Sequence, residues 1–172
     1  MLTVRRSIAC ALAALPLLGI AGQAHVHGAA KLDIAIDART LVIALDSPLD
    51  NLLGFERAPR SAAERSKTDE MVARLKAGTP FRIDPQAGCR LAHVDLVSAV
   101  LQLGSQPAAA AGHADLRASF EFQCEAAERA GHVDVELFGH PHMQRIDVQI
   151  AGPTGQFKQR LTKSARRVQL AR

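Results

Sequence analysis

Lys31-Leu32-Asp33-Ile34-Ala35-Ile36-Asp37 and Thr40-Leu41-Val42-Ile43-Ala44-Leu45-Asp46 stand either side of the short link Ala38-Arg39. In the first run Leu32, Ile34 and Ile36 recur at every second position, with Lys31, Asp33 and Asp37 between them. In the second, Leu41, Ile43 and Leu45 keep the same phase. Successive side chains of a strand point to opposite faces, so this pattern predicts a β-hairpin with one face buried. Residues 115–124 repeat the signal most cleanly. Leu116, Ala118, Phe120, Phe122 and Cys124 share one face, and Asp115, Arg117, Ser119, Glu121 and Gln123 the other.

Working outward, residues 90–103 are long enough for one strand, with Ala92, Val94 and Leu96 opposite His93 and Asp95. Val133, Val135 and Leu137 mark another strand, Ile146, Val148 and Ile150 the next. Pro153-Thr154-Gly155 turns the chain into a last pair, residues 156–162 and 167–170. Between the hairpin and these strands, Ser47-Pro48 breaks the ladder and residues 50–56 allow about one helical turn. Ser61-Ala62-Ala63-Glu64 has capping-box spacing, Met71, Val72 and Leu75 mark a helix face, and Gly78 and Pro80 end that helix. Residues 81–88 and 104–112 read as loops. Seven or eight mostly antiparallel strands with one or two helices make an α+β fold in a single domain.

The residues before the hairpin have a different character. Arg5 and Arg6 precede a nearly unbroken apolar run over residues 7–21, and Gly22-Gln23-Ala24 offers small residues for cleavage after Ala24. That is a secretory signal peptide over residues 1–24. The apolar run is short for a span of about 20 residues, and Pro16 interrupts it, so no stable membrane insertion is expected after cleavage. Residues 25–172 are then expected to form one exported domain. Loss of Arg5 and Arg6 lowers the net charge from +4 to about +2, and the chain has no Tyr or Trp. Nucleic-acid binding therefore has no support. Cys89 and Cys124, the only cysteines beyond the signal, are most simply one disulfide in an exported protein. It would close a loop of about 35 residues.

Motifs for catalysis are missing. There is no G-x-S-x-G, no glycine-rich phosphate loop and no H-E-x-x-H, and pairing Cys89 with Cys124 removes a nucleophilic thiol. The expectation is a protein that is not an enzyme. Histidine is the distinctive residue, with seven in the chain, all beyond residue 24. Neutral imidazole is the commonest protein ligand for zinc and copper. His25-Val26-His27 sits at the expected cleavage point. A free α-amine on His25 with His27 third in the chain would suit square-planar copper or nickel. Alternatively, both imidazoles could join a carboxylate and a further histidine around tetrahedral zinc. His140-Pro141-His142 is a second cluster, in a turn between strands. His93 reads as an exposed strand residue beside Asp95, and His132 carries no special signal. Glu56, among apolar neighbours, asks for a partner, which Arg57 or Arg60 could supply.

Several motifs, in one order across nearly the whole domain, resemble a known family. They are His25-Val26-His27-Gly28-Ala29-Ala30-Lys31-Leu32-Asp33-Ile34-Ala35, Asp50-Asn51-Leu52-Leu53-Gly54-Phe55-Glu56-Arg57-Ala58-Pro59 and Gly88-Cys89-Arg90-Leu91. With them go His113-Ala114-Asp115-Leu116, Phe120-Glu121-Phe122-Gln123-Cys124, Leu137-Phe138 and Arg145-Ile146-Asp147-Val148-Gln149. The chain resembles the ZrgA-type periplasmic zinc-binding proteins. The resemblance implies a periplasmic protein that binds zinc and assists its uptake alongside an inner-membrane metal transporter. Two departures stand out. Many members carry a His/Asp-rich insertion ahead of the strand that begins here at His113, whereas residues 104–112 hold no His and no acid. Members also often have His after the Phe-Glu pair, where this chain has Arg57, a cation that would repel a bound metal.

The resulting expectation is a zinc-binding periplasmic protein that captures the ion and hands it on. His25, His27 and His113 are the first candidate ligands, and Glu56 is a carboxylate ligand or an orienting partner. His140 and His142 are secondary candidates that would compensate for Arg57. Two alternatives belong to other classes: a copper- or nickel-binding protein working through the free N-terminus, and a metal-independent envelope interaction protein.

Overall fold

The computed structural model describes residues 27–105, 114–140 and 142–170. The expected signal segment, His25 and His113 lie outside them. Strand β1 (Ala29–Asp37) turns through Ala38 into β2 (Thr40–Pro48), and the antiparallel register sets Ile34 opposite Ile43. Leu32, Ile34, Leu41, Ile43 and Leu45 are all buried, as the period-two pattern requires. Strand β5 (Asp115–Gln123) runs antiparallel along the other side of β2, from Thr40 opposite Gln123 to Pro48 opposite Asp115. Strand β4 (Arg90–Val97) flanks β5. On the far side of β1, β7 (Arg145–Gly152) pairs in parallel, and β8 (Gly155–Thr162) closes the six-stranded sheet in the order β4-β5-β2-β1-β7-β8.

A smaller sheet of β3 (Phe81–Ile83), β6 (His132–Val135) and β9 (Arg167–Gln169), in the order β3-β6-β9, shares one buried apolar cluster with the large sheet. Phe120 of β5, fully buried, meets Phe81 of β3 edge to face at 4.8 Å between ring centroids. Helices α1 (Leu49–Leu53) and α2 (Ala62–Lys76) complete the fold, and both halves of the Ser61–Glu64 capping box are made. Cys89 and Cys124 form a disulfide. The α+β reading holds, and no helix among the described residues is long and apolar enough to cross a membrane.

Three local expectations need correction. Residues 81–88 are not simply loop: β3 forms there, followed by a 3-10 turn at Pro85–Ala87 in which Asp84 Oδ1 accepts the Gln86 N–H. Two apolar residues, Phe81 and Ile83, are too few to declare a strand by periodicity. With β3 the described strands number nine. The strand from Arg90 stops at Val97, because Ser98 and Leu103 exchange backbone hydrogen bonds (3.0 and 2.9 Å) and fold the chain back. An irregularity between Leu91 and His93 also shifts its phase, so Ala92 is exposed while Leu91, Val94 and Leu96 keep to the covered side.

The parallel β1–β7 pair has the largest consequence. Ala29 lies opposite Arg145, so both strands begin at the same end of the sheet. Antiparallel pairing brings the end of β2 and the start of β5 to that end as well. The segments carrying His27, Glu56, His140 and His142 all adjoin these strand ends.

Candidate metal centre

Helix α1 begins where Pro48 ends the β2 ladder. Leu49 and Leu53, one turn apart, are buried against the core, and the Leu49 N–H donates to the Ala114 carbonyl at 2.8 Å. Gly54 stops the helix in the left-handed region (φ 85°), its N–H returning to the Asp50 carbonyl at 2.9 Å. Between these anchors Asn51 is fully buried and turned toward β1. Its Oδ1 accepts the Gly28 N–H and its Nδ2 donates to the Ala29 carbonyl, both at 2.8 Å. The Gly28 carbonyl in turn accepts the Gln144 and Arg145 N–H groups at 2.9 and 3.0 Å. Three chain segments distant in sequence are thus joined at Gly28.

The side chains next to this junction carry the chemistry. His142 Nδ1 lies 2.7 Å from Asp50 Oδ2. The carboxylate can only accept, so the proton of a neutral His142 sits on Nδ1 and Nε2 keeps its lone pair. A carboxylate orienting an imidazole in this way is the usual support of a metal-binding histidine. His27 Nδ1 lies 3.9 Å from the same Asp50 oxygen and 3.6 Å from Glu56 Oε1. His27 is 70% exposed and Asp50 only 20%, so the cluster has a covered carboxylate at its base and an open imidazole at its mouth.

His140 plays a different part. Its Nδ1 accepts the His142 N–H at 3.3 Å, and its ring stands edge-on to that of His142 with centroids 4.8 Å apart. A Cβ on Gly54 would come within 3.0 Å of His140 Cε1 and Nε2, so the imidazole rests directly on the glycine. Burial lowers the His140 pKa, the nearby Lys67 and His142 lower it further, and Asp50 partly opposes them. As placed, the His140 ring packs between His142 and Gly54.

Glu56 pairs with neither Arg57 nor Arg60; the acid partner of Arg57 is Glu64. The Arg57 guanidinium meets both Glu64 oxygens at 3.0 and 2.7 Å and lies 5.2 Å from the Phe55 ring centroid. That bond, with the Arg60 and Ser61 N–H groups, holds the Glu64 carboxyl at a pKa of about 2. The Arg57 charge is therefore matched by Glu64. His93 is an exposed partner of Asp95 at 3.0 Å, as its strand phase predicts. His132 sits in the small sheet beside Asp84 and Asp134 (3.3 and 4.0 Å), away from the cluster, and Asp134 is already bound to Arg167.

Glu56, His27, Asp50, His142 and His140 thus form a chain of neighbours with imidazole and carboxylate donors, a set that suits zinc. As they stand, no group of three or more His, Cys, Asp or Glu among the described residues is gathered tightly enough to hold a metal ion. The ZrgA family, described as zinc uptake proteins, matches residues 24–170. The chain belongs to that family. No curated protein matches it. Membership in the ZrgA family relates the chain to zinc uptake at the level of the family description. Asp50 and Asn51, which reasoning from the sequence passed over as candidates, lie in the Asp50–Pro59 motif. Their only sequence signal was two polar residues inside an otherwise apolar turn directly after a strand.

Proposed function

We propose that this protein binds zinc in the periplasm and assists its uptake by capture and hand-over, with no catalytic step. The single observation that carries the reading is the Asp50–His142–His27–Glu56 cluster, joined at one end of the sheet in a chain of the ZrgA family. His27 and His142 are the proposed imidazole ligands, Glu56 a carboxylate ligand, and Asp50 the acceptor that orients His142. His25, two residues before His27, and His113, next to Ala114, remain proposed ligands on the sequence. His140 serves as a brace. The Cys89–Cys124 bond is in keeping with an oxidising compartment, as is the N-terminal signal pattern. An open, solvent-facing mouth favours exchange over storage, and an inner-membrane metal transporter is the proposed recipient.

Isothermal titration of metal-free protein with zinc, then copper, tests this. Zinc binding tighter than about 10 μM, roughly −7 kcal/mol, that His27→Ala/His142→Ala removes is the expected result. Weaker binding of both metals would sink the reading. Tight copper with weak zinc would move the assignment to the free N-terminus.

A further inference from the structure

Beyond the ligands themselves, the arrangement contains a part whose geometry serves the site and no catalytic or ligating atom. We infer that Asn51 is the positioning residue that sets zinc affinity, by holding the His27 backbone in register with Asp50; this rests on the function proposed above. Asn51 is fully buried, and its amide does for Gly28 and Ala29 what a neighbouring strand would do, accepting one N–H and donating to one carbonyl at 2.8 Å each. Its Nδ2 also reaches Ser47 Oγ at 3.5 Å, near the hydrogen-bond limit. The residue before Asn51 is Asp50, which touches His142, and the residue before Gly28 is His27. One side chain thus spans the two segments whose separation decides whether His27 and His142 can reach the same ion.

The alternative supports for His27 are few. Gly28 adopts φ 80°, a conformation that suits glycine and does not itself direct the preceding residue. The His27 ring is 70% exposed and its contacts with Glu56 and Asp50 are 3.6 and 3.9 Å, too long to hold the imidazole alone. Without the Asn51 amide, the Gly28 N–H and Ala29 carbonyl would look to water, and the bonds from Gln144 and Arg145 to the Gly28 carbonyl would be the remaining backbone tie beside His27. His142 and Asp50 would stay in place, because their segments are anchored by buried Met143 and by buried Leu49 and Leu53 of α1.

The test is zinc titration of the full mature chain as wild type, Asn51→Ala, His27→Ala and the double variant, each confirmed folded by circular dichroism. Asn51→Ala should weaken zinc about 10- to 100-fold, the usual range for residues that orient ligands. In the His27→Ala background the same substitution should cost almost nothing further, since its effect runs through His27. Amide exchange of the metal-free protein supplies a second readout: Gly28 should exchange faster in Asn51→Ala while Leu32 and Ile34 stay protected. Unchanged zinc affinity in folded Asn51→Ala would overturn the inference, and so would a full, additive loss in the His27→Ala background. If Asn51→Ala does not fold, Asn51→Asp, which keeps the acceptor for Gly28, takes its place, with the same coupling to His27 deciding the outcome. A wild type that binds no zinc would refute the proposed function instead, and the Gly28 exchange result would then stand as a statement about the fold only.

Discussion

Gly54→Ala tests how firmly the His140 brace is seated. The added methyl meets two costs. The backbone at φ 85° is left-handed, which disfavours any residue with a Cβ by about 1–2 kcal/mol. The Cβ would also sit 3.0 Å from two atoms of the His140 imidazole, so either the ring or α1 must shift; overpacking of this kind costs about 1–3 kcal/mol, and the half-buried ring places it near the lower end. Alanine also restricts the unfolded chain, which offsets about 0.4–1 kcal/mol. The balance is a loss of about 2 kcal/mol. In a His140→Ala background the steric share disappears and only about 1 kcal/mol should remain. Urea unfolding of wild type, both single variants and the double variant measures the coupling as the difference, about 1 kcal/mol. Equal losses in the two backgrounds would show that the imidazole does not rest on Gly54, and the account of His140 as a brace would fail with it.

Asp50→Ala should weaken zinc about 10- to 100-fold by freeing the His142 ring, and a titration in which it binds like wild type would remove Asp50 from the site. Arg57→Ala should leave zinc affinity unchanged, because the Arg57 charge is already matched by Glu64; a clear gain in affinity would show that the cation does oppose the metal. Cys89→Ala/Cys124→Ala should lower stability by about 3–4 kcal/mol, from a loop of 35 residues, and an unchanged urea midpoint would contradict it. Acid should act twice. Zinc should leave on acidification, because ligating imidazoles must be neutral. The metal-free fold should also lose stability as the pH falls below about 6.5, the ordinary histidine value: the His140 pKa is lowered in the fold, so the unfolded chain takes up that proton first. Glu64 adds a second loss as pH drops from 4.5 toward about 2. His140→Ala should flatten the first of these stability losses in a pH series of melting curves.

Much of this was legible in the residues. Alternation alone marked β1, β2 and β5 and their buried faces, because a strand with one covered face must repeat with period two. The Ser61–Glu64 capping box and the inward Cys124 were equally local, as was the exposure of His93. Where the signal was short or irregular it failed. Phe81 and Ile83 gave too few positions for β3, and the shift near Ala92 broke the phase that reading depends on. The candidate ligands His27, Glu56 and His142 were chosen by residue type, yet nothing local could bring them together.

That step belongs to tertiary structure, and it turns on one pairing. Had β7 run antiparallel to β1, the His140–His142 turn would stand at the opposite end of an eight-residue strand, roughly 25 Å away at about 3.3 Å per residue. Parallel pairing is made by backbone hydrogen bonds between segments more than a hundred residues apart, and side-chain periodicity is the same in either direction. Asn51 and Asp50 were hidden for the same reason. A buried amide bridging Gly28 and Ala29, and a carboxylate bound to His142, acquire their roles only from partners that the fold delivers.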